Sequence, residues 1–348
     1  MTAGALRVVV RSELGGMAAD WDGLAGAATL PSPFLRSWWL QATARGTPLF
    51  VLAHDGDRLA GGLALQRDNA LPGLRRLAFM GAGPLAPDHL DAVAAPGRDA
   101  AVAAALHEWI KQRRRTLVDL RGAAEAWLLA AVLGDGVHRS VEERAPYTRL
   151  PGSAAAYFEG RPPQLRNTIR RAERRLERAG VVSRQVPADD SGRALAALER
   201  LHRARWGARS PWSGAFTTFA AAARTGMARG EVAVHELVAP GDEVVATVVM
   251  LLCAGRASFY QGGRLTEHRW RGAGTVVLAH AVARACEAGC HELDMLRGDE
   301  PYKRLWADRS RAVLRLRTGV GALAAAALRA EIAAGALRPA ASRRRRTT

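Results

Sequence analysis

Lysine is almost missing from this chain. Of its 50 basic residues only two are lysine, Lys111 and Lys303. Alanine is abundant, so the pattern reads as a biased base composition that has replaced lysine by arginine, and the two exceptions carry more information than the many arginines. Cysteine is scarce as well, at three: Cys253, Cys286 and Cys290. Cys286 and Cys290 sit one helical turn apart with His291 following, but there is no second cluster of ligands; buried thiols are expected and no metal. Acidic residues are outnumbered 33 to 50, leaving a net charge of +17 and a pI of about 11.3. That field favours phosphorylated or acidic partners. Long apolar runs are lacking too. The longest, at 244–254, is too short for a bilayer, and the N-terminus MTAGALRVVVRSEL has no signal-peptide core. The expectation is a soluble cytoplasmic protein without a transmembrane segment.

What is present is a chain of 348 residues, 49% hydrophobic, long enough for two ordinary domains with substantial cores. Its most informative stretch is 257–306. A β-branched and aromatic run begins near Val244 and closes at Ser258, Phe259 and Tyr260, so a strand is expected to end there. A glycine-punctuated loop containing RWRGAG follows, then a helix from Thr275 to about Ala288, then a short strand from His291 to Leu296. A glycine-rich turn between strand and helix is the setting in which backbone N–H groups hold a phosphate. Arg269, Gly272 and Gly274 form RxxGxG: glycine lets the main chain approach a diphosphate closely, and Arg269 and Arg271 add charge.

RxxGxG at Arg269 to Gly274 resembles the pyrophosphate loop of the GNAT acyltransferase superfamily. With the following helix and LDMLRGDEPYKRLW at Leu293 to Trp306, the chain is similar to the cellulose-biosynthesis-associated acetyltransferase-like branch, itself related to the Fem-type aminoacyltransferases. The likeness covers roughly residues 21–316. It implies an α/β (α+β) fold of two tandem GNAT-like domains, each a mixed central sheet flanked by helices. It also implies acetyl-CoA or another acyl-CoA as co-substrate, held by Arg269, Arg271, Gly272, Ala273, Gly274 and Thr275.

Internal repetition supports two units. A helix at 100–115 followed by TLVDLRG mirrors the helix at 275–288 followed by HELDMLRG, so Asp119 to Gly122 answers Asp294 to Gly298. Hairpins at 49–66 and 231–252 correspond in the same way. RLPGS near 149–153 marks the boundary, giving an N-terminal unit (1–150), a C-terminal unit (151–320), and an Ala-rich helix with a basic tail (321–348). Only the second copy has RxxGxG, so only it is expected to bind donor, the first shaping the acceptor cleft.

Between the units, Leu165, Ile169, Ala172, Leu176 and Ala179 fall on one helical face, with Arg166, Arg170, Arg171, Arg174, Arg175 and Arg178 elsewhere on the helix. The bland reading is a solvated face; the functional one is an anion surface for acceptor, CoA phosphates or tRNA. His202, Arg205 and Trp206 lie on a further amphipathic helix, where histidine is more often a core residue than a base. Trp38, Trp39, Trp206 and Trp212 line a groove or fill a core, the core reading being the commoner. Arg343 to Arg346 read as a solubilising tail, with nucleic acid or an anionic membrane as the alternative.

Amide formation from a thioester needs a neutral amine, donors for the oxyanion and an acid for the thiolate. The resemblance implies direct attack, with the oxyanion donors on the strand before Gly262. Tyr302 and Tyr260 are the nearby phenols; Asp294, Asp299 and Glu300 are the nearby carboxylates. Against catalysis, Asp294 pairs with Arg297, and Asp299 and Glu300 cap the helix that Pro301 starts. The resemblance to the Fem-type proteins, which keep a lysine in the matching segment, implies that Lys303 sits near the developing charge or a donor phosphate, the alternative being an exposed surface lysine. The candidate catalytic set is therefore Tyr302, Lys303, Asp294 and Glu300. Three functions follow: N-acyl transfer from acyl-CoA to a small-molecule or peptide amine; aminoacyl transfer from aminoacyl-tRNA, favoured by the basic surface; or a non-catalytic polysaccharide-assembly role on the same fold.

Overall fold

The computed structural model describes residues 6–125, 127–207 and 214–336. Strands β1 (Arg7–Arg11), β2 (Thr47–Asp55), β3 (Arg58–Leu71), β4 (Leu74–Phe79), β5 (Val93–Ala94), β6 (Thr116–Ala123) and β7 (His138–Arg149) occupy the first half. Helices α1 (Ala18–Ala27), α2 (Ser37–Thr43), α3 (Asp99–Lys111) and α4 (Trp127–Leu133) are interleaved with them. Helices α5 (Ala154–Glu159) and α6 (Pro163–Arg178) lead into the second half. There β8 (Val182–Gln185), α7 (Ser191–Trp206), α8 (Phe216–Ala228), β9 (Val232–Ala239), β10 (Glu243–Cys253) and β11 (Arg256–Arg264) repeat the order of the first. α9 (Ala273–Glu287), β12 (Glu292–Asp294), α10 (Lys303–Trp306) and β13 (Arg309–Val320) complete the repeat, and α11 (Ala322–Ala336) follows.

All thirteen strands join one sheet, in the order β1-β2-β3-β4-β6-β13-β7-β12-β11-β10-β9-β8, with β5 beside β3. Only β4–β6 and β11–β12 are parallel, so this is a mixed α+β sheet. At its centre the halves exchange their last strands: β13 lies between β6 and β7, and β7 lies between β13 and β12. The exchange explains why neither β7 (HRSVEERAPYTR) nor β13 (RSRAVLRLRTGV) is legible as a strand. Each is polar, and its partners come from the other half of the chain.

Local rules account for the rest. Every residue of β9 is buried, as a β-branched strand covered on both faces should be. On α6, Leu165, Ile169, Ala172 and Leu176 are buried and the arginines lie outside; burial of each large aliphatic side chain there contributes about 1.5–3 kcal/mol. Trp38 and Trp39 belong to the core, which settles them as packing residues, and Trp206 is 38% exposed. Trp212 and Arg343 to Arg346 lie outside the described residues. The run from Val244 is two strands, β10 and β11, and β11 continues past Tyr260 to Arg264. α9 begins two residues earlier than expected, so Ala273 and Gly274 belong to its first turn. No described helix is long and apolar enough to cross a membrane.

Candidate functional site

Residue 272 is suited to glycine on two counts. Its φ is +87°, in the left-handed region, and a Cβ there would stand 2.7 Å from the Cβ of Ala172 on α6. This bend turns the chain into α9. Thr275 and Val276 donate back to the Gly272 carbonyl, each at 3.0 Å. The N–H groups of Gly272, Ala273 and Gly274 have no main-chain acceptor among the described residues, and no side chain caps the helix. Unpaired amides at the positive end of a helix dipole make an anion site.

Arginines surround it. A Cβ on Gly274 would meet Arg264 Cδ at 2.9 Å, and one on Gly272 would lie 3.6 Å from Arg175 Nη2. Arg269 stacks on Trp270 at 4.6 Å with Glu243 at 3.7 Å, and Arg271 is exposed. Sequence reasoning gave Arg269 and Arg271 but missed Arg264, at a strand end. Arg175 belongs to the α6 charge run, for which CoA phosphates are one of the functional alternatives; α6 packing on α9 brings it here.

Through Arg264 the bend adjoins the end of β11, the strand at which the sheet opens. β11 and β12 pair only over Arg256–Ser258 and Glu292–Asp294, after which β11 runs on to Arg264 with a bulge at Tyr260. Main-chain groups of residues 260–262 on that side therefore have no strand partner from β12. In the first half the equivalent opening between β4 and β6 is filled by its own loop. Leu90 donates to Gly122 O and accepts from Ala124 N, both at 2.9 Å. α3, the counterpart of α9, carries Asp99 in its first turn, which disfavours an anion.

From the bend, a continuous set of polar groups leads away: Arg264 packs on Gly274, Arg205 feels the charge of Arg264 and Tyr302, and Tyr302 feels Glu300. Desolvation, with Glu300 adding to it, pushes the Tyr302 phenol above its ordinary pKa, so it stays protonated. It is 44% exposed. Tyr260 is committed elsewhere: its hydroxyl donates to Leu85 O at 2.9 Å and its ring packs on Phe34, Trp39 and Phe219.

Asp294 is fully buried and held by Arg256 Nη2 at 2.5 Å, His89 Nε2 at 3.0 Å and the Leu296 N–H at 2.8 Å. Burial alone would raise its pKa, but His89, Arg256 and Arg311 together hold it well below the usual carboxylate range. The expected partner Arg297 instead binds Asp88 and Pro87 O. The matching aspartate of the first repeat, Asp119, is gripped bidentately by Arg315 at 2.6 and 2.7 Å. In both copies this aspartate fastens the sheet.

Lys303 is buried, 5% exposed, which corrects the surface alternative. Its Nζ donates to Arg297 O at 2.5 Å and Leu296 O at 3.4 Å and lies 3.0 Å from Glu300. A compact ammonium reaches three acceptors in different directions where a planar guanidinium does not; it staples the turn in which Leu296 has a φ of +54°. Asp299 pairs bidentately with Arg304 rather than capping a helix. His202 is buried, and burial with nearby Arg205 lowers its pKa. Cys253 and Cys286 are buried and Cys290 partly so; among the described residues no cluster of three metal ligands occurs. A separate hollow beside α1 is lined by Asp22, Arg36 and Arg229, whose charges are already paired with one another and with Glu231.

Residues 163–304 match the family model described as the acetyltransferase (GNAT) domain. No curated protein matches the chain. The solved structure of FemX is similar over 86% of this chain and 95% of its own, at 8% identity and a TM-score of 0.61. A tandem GNAT protein from the clavulanic acid biosynthesis pathway covers 91% of this chain and 99% of its own, at 15% identity and a TM-score of 0.51. This is a tandem GNAT fold. The C-terminal domain of a putative lysylphosphatidylglycerol synthetase from Agrobacterium fabrum shares it, at 12% identity and a TM-score of 0.59 over 90% of this chain and 95% of its own. The GNAT match begins at α6 and spans the bend at Gly272.

Proposed function

We propose that the protein transfers an acyl group from an acyl-CoA to an amine. One observation carries the reading: three unpaired amides at a left-handed bend, flanked by Arg175 and Arg264, at the mouth of an opening between parallel strands. Gly272, Ala273, Gly274 and Thr275 cradle the donor diphosphate, and Arg269 and Arg271 supply long-range charge. The thioester carbonyl lies against β11 beyond Ser258, on the side where pairing with β12 has ended, and main-chain N–H groups there receive the oxyanion. Tyr302 gives its proton to the departing thiolate. Lys303 and Asp294 position the loop that carries Tyr302, and Glu300 supports Lys303. In this reading units 1–150 and 151–320 are duplicated halves, the second binding donor, and the protein works in the cytoplasm.

Thermal melting with CoA and with acetyl-CoA tests this. A ligand held by the native state alone at about a hundred times its Kd stabilises by about 2.7 kcal/mol. No shift with either, at millimolar concentration, removes the donor assignment.

A second reading, aminoacyl transfer from aminoacyl-tRNA, draws on the exposed arginines of α6 at 170, 171, 174, 175 and 178 and on the fold shared with FemX. It requires binding of charged tRNA that weakens steeply with salt.

A further inference from the structure

The amine must lose a proton as it attacks, and the carboxylates in the candidate segment are all engaged. Asp294 is buried among His89, Arg256 and Arg311, Asp299 is forked by Arg304, and Glu300 is paired with Lys303. One carboxylate at the same place is unengaged, and it comes from the other half of the chain. β7, the strand the first half contributes to the second, runs beside the segment after β12: Met295 donates to Pro146 O at 2.8 Å and Gly298 to Arg144 O at 3.0 Å. Glu143 lies next in that strand, opposite Val313 of β13.

Resting on the acyl-transfer reading above, we infer that Glu143 is the general base for the amine, a catalytic residue delivered to the donor-binding half by the exchanged strand. Its side chain is exposed and makes no hydrogen bond or ion pair with the described residues. The charged groups around it are Arg297 and Glu300 on the loop after β12, Lys303 on α10, and Asp88 on the first-half loop. Partial desolvation raises its pKa, Arg297 and Lys303 opposing and Asp88 and Glu300 adding to the rise. A carboxylate so placed is a better base than an ordinary surface glutamate. Glu300 is a charged neighbour of both Glu143 and Tyr302, which places base and acid on the two sides of the segment after β12.

The step balances as follows. The amine lone pair forms the C–N bond at the thioester carbonyl and the ammonium proton passes to Glu143. The oxyanion collapses, the C–S bond breaks, and the thiolate takes the Tyr302 proton. Glu143 and Tyr302 then return to their starting states by proton exchange through water. The neighbouring Glu142 is different: it accepts from Gly122 N at 3.3 Å and sits 3.5 Å from Arg121, so it belongs to the sheet.

Full-length wild type, Glu143→Gln, Glu143→Asp and Glu142→Gln are compared by CoA-induced melting shift and by thiol release from acetyl-CoA between pH 5 and 9. The acceptors are glucosamine, spermidine, or water alone. Glu143→Gln should keep the CoA shift, lower kcat by roughly 100- to 10,000-fold and lose the acid limb of the pH profile. Glu143→Asp should restore part of the rate and the limb, and Glu142→Gln should keep the wild-type profile. A folded Glu143→Gln protein whose kcat stays within about threefold of wild type, with the acid limb intact, overturns the assignment while leaving acyl transfer standing. Wild type that neither shifts with CoA nor releases thiol with any acceptor overturns acyl transfer and the assignment together.

Discussion

Asp294 and Arg256 form a buried ion pair, Oδ2 to Nη2 at 2.5 Å, between adjacent parallel strands where β11 and β12 are about to part. Arg256 also donates to Pro31 O in the first half and to Glu292. Replacing Asp294 with Asn removes one of the two carboxylates on the buried Arg256 guanidinium, leaving Glu292 as its remaining charge partner, and the loss expected is about 1.5–3 kcal/mol. The folded state holds this carboxyl ionised more tightly than the unfolded chain does. The unfolded state therefore binds the extra proton in acid, and the stability the pair supplies is present above the unfolded pKa and lost as pH falls below about 4. Urea unfolding at pH 7 and pH 3 reads both; a variant as stable as wild type at pH 7 contradicts this account.

A histidine governs a higher pH window. His235 on β9 is buried, and desolvation with the charges of Arg284 and His280 lowers its pKa from 6.5 to about 4. Its folded pKa lies below the unfolded value, so above pH 6.5 both states are neutral. Between 6.5 and 4 the unfolded chain gains a proton that the fold refuses. Stability should fall by about 2–3 kcal/mol across that window. Melting temperatures of His235→Gln measured over the same range should show a flatter decline, and an unchanged slope counts against the assignment.

Two glycines two positions apart should separate folding from binding. Gly272→Ala forces a left-handed φ on alanine and a 2.7 Å approach to Ala172 Cβ, and should cost about 1–3 kcal/mol. At Gly274 the obstacle is Arg264 Cδ at 2.9 Å, the stem of a side chain that can swing aside. Gly274→Ala should hold or slightly raise stability, since alanine suits a helix, while cutting the melting shift produced by CoA. Equal shifts in Gly274→Ala and wild type would show that this turn is not the donor cradle.

Lys303→Met removes the donor for Leu296 O and Arg297 O and the partner of Glu300. With buried carbonyls left unsatisfied, destabilisation of about 1–3 kcal/mol is expected. The CoA-induced shift should survive, because the bend at Gly272 lies on another segment. Lys303→Arg should not restore full stability, since a planar fork cannot serve three acceptors arranged around one point. Chemical denaturation of both variants checks this; full recovery with arginine contradicts it.

Much of the scaffold was legible because its causes are local. The apolar face of α6 follows from spacing alone, the hairpin of β9 and β10 from its correspondence with the one at 49–66, and the repeat of Asp119 to Gly122 at Asp294 to Gly298 from direct inspection. The α9 boundary was misplaced because glycine reads as a helix breaker, whereas the first turn, with its N–H groups unpaired, tolerates it. β7 and β13 were missed because their alternation is half arginine and glutamate, which resembles a solvated loop until acidic partners such as Asp119 and Glu292 are set opposite.

Sequence by itself determined that a glycine-permitted bend would open a helix after a strand, since the sterics of a missing Cβ and the dipole of a helix end involve only neighbouring residues. Tertiary structure alone decided which charges meet. Strand exchange brings residue 315 against 119 and residues 144–147 alongside 294–298, and pairings that depend on chain segments more than a hundred residues apart leave no periodic trace along the chain.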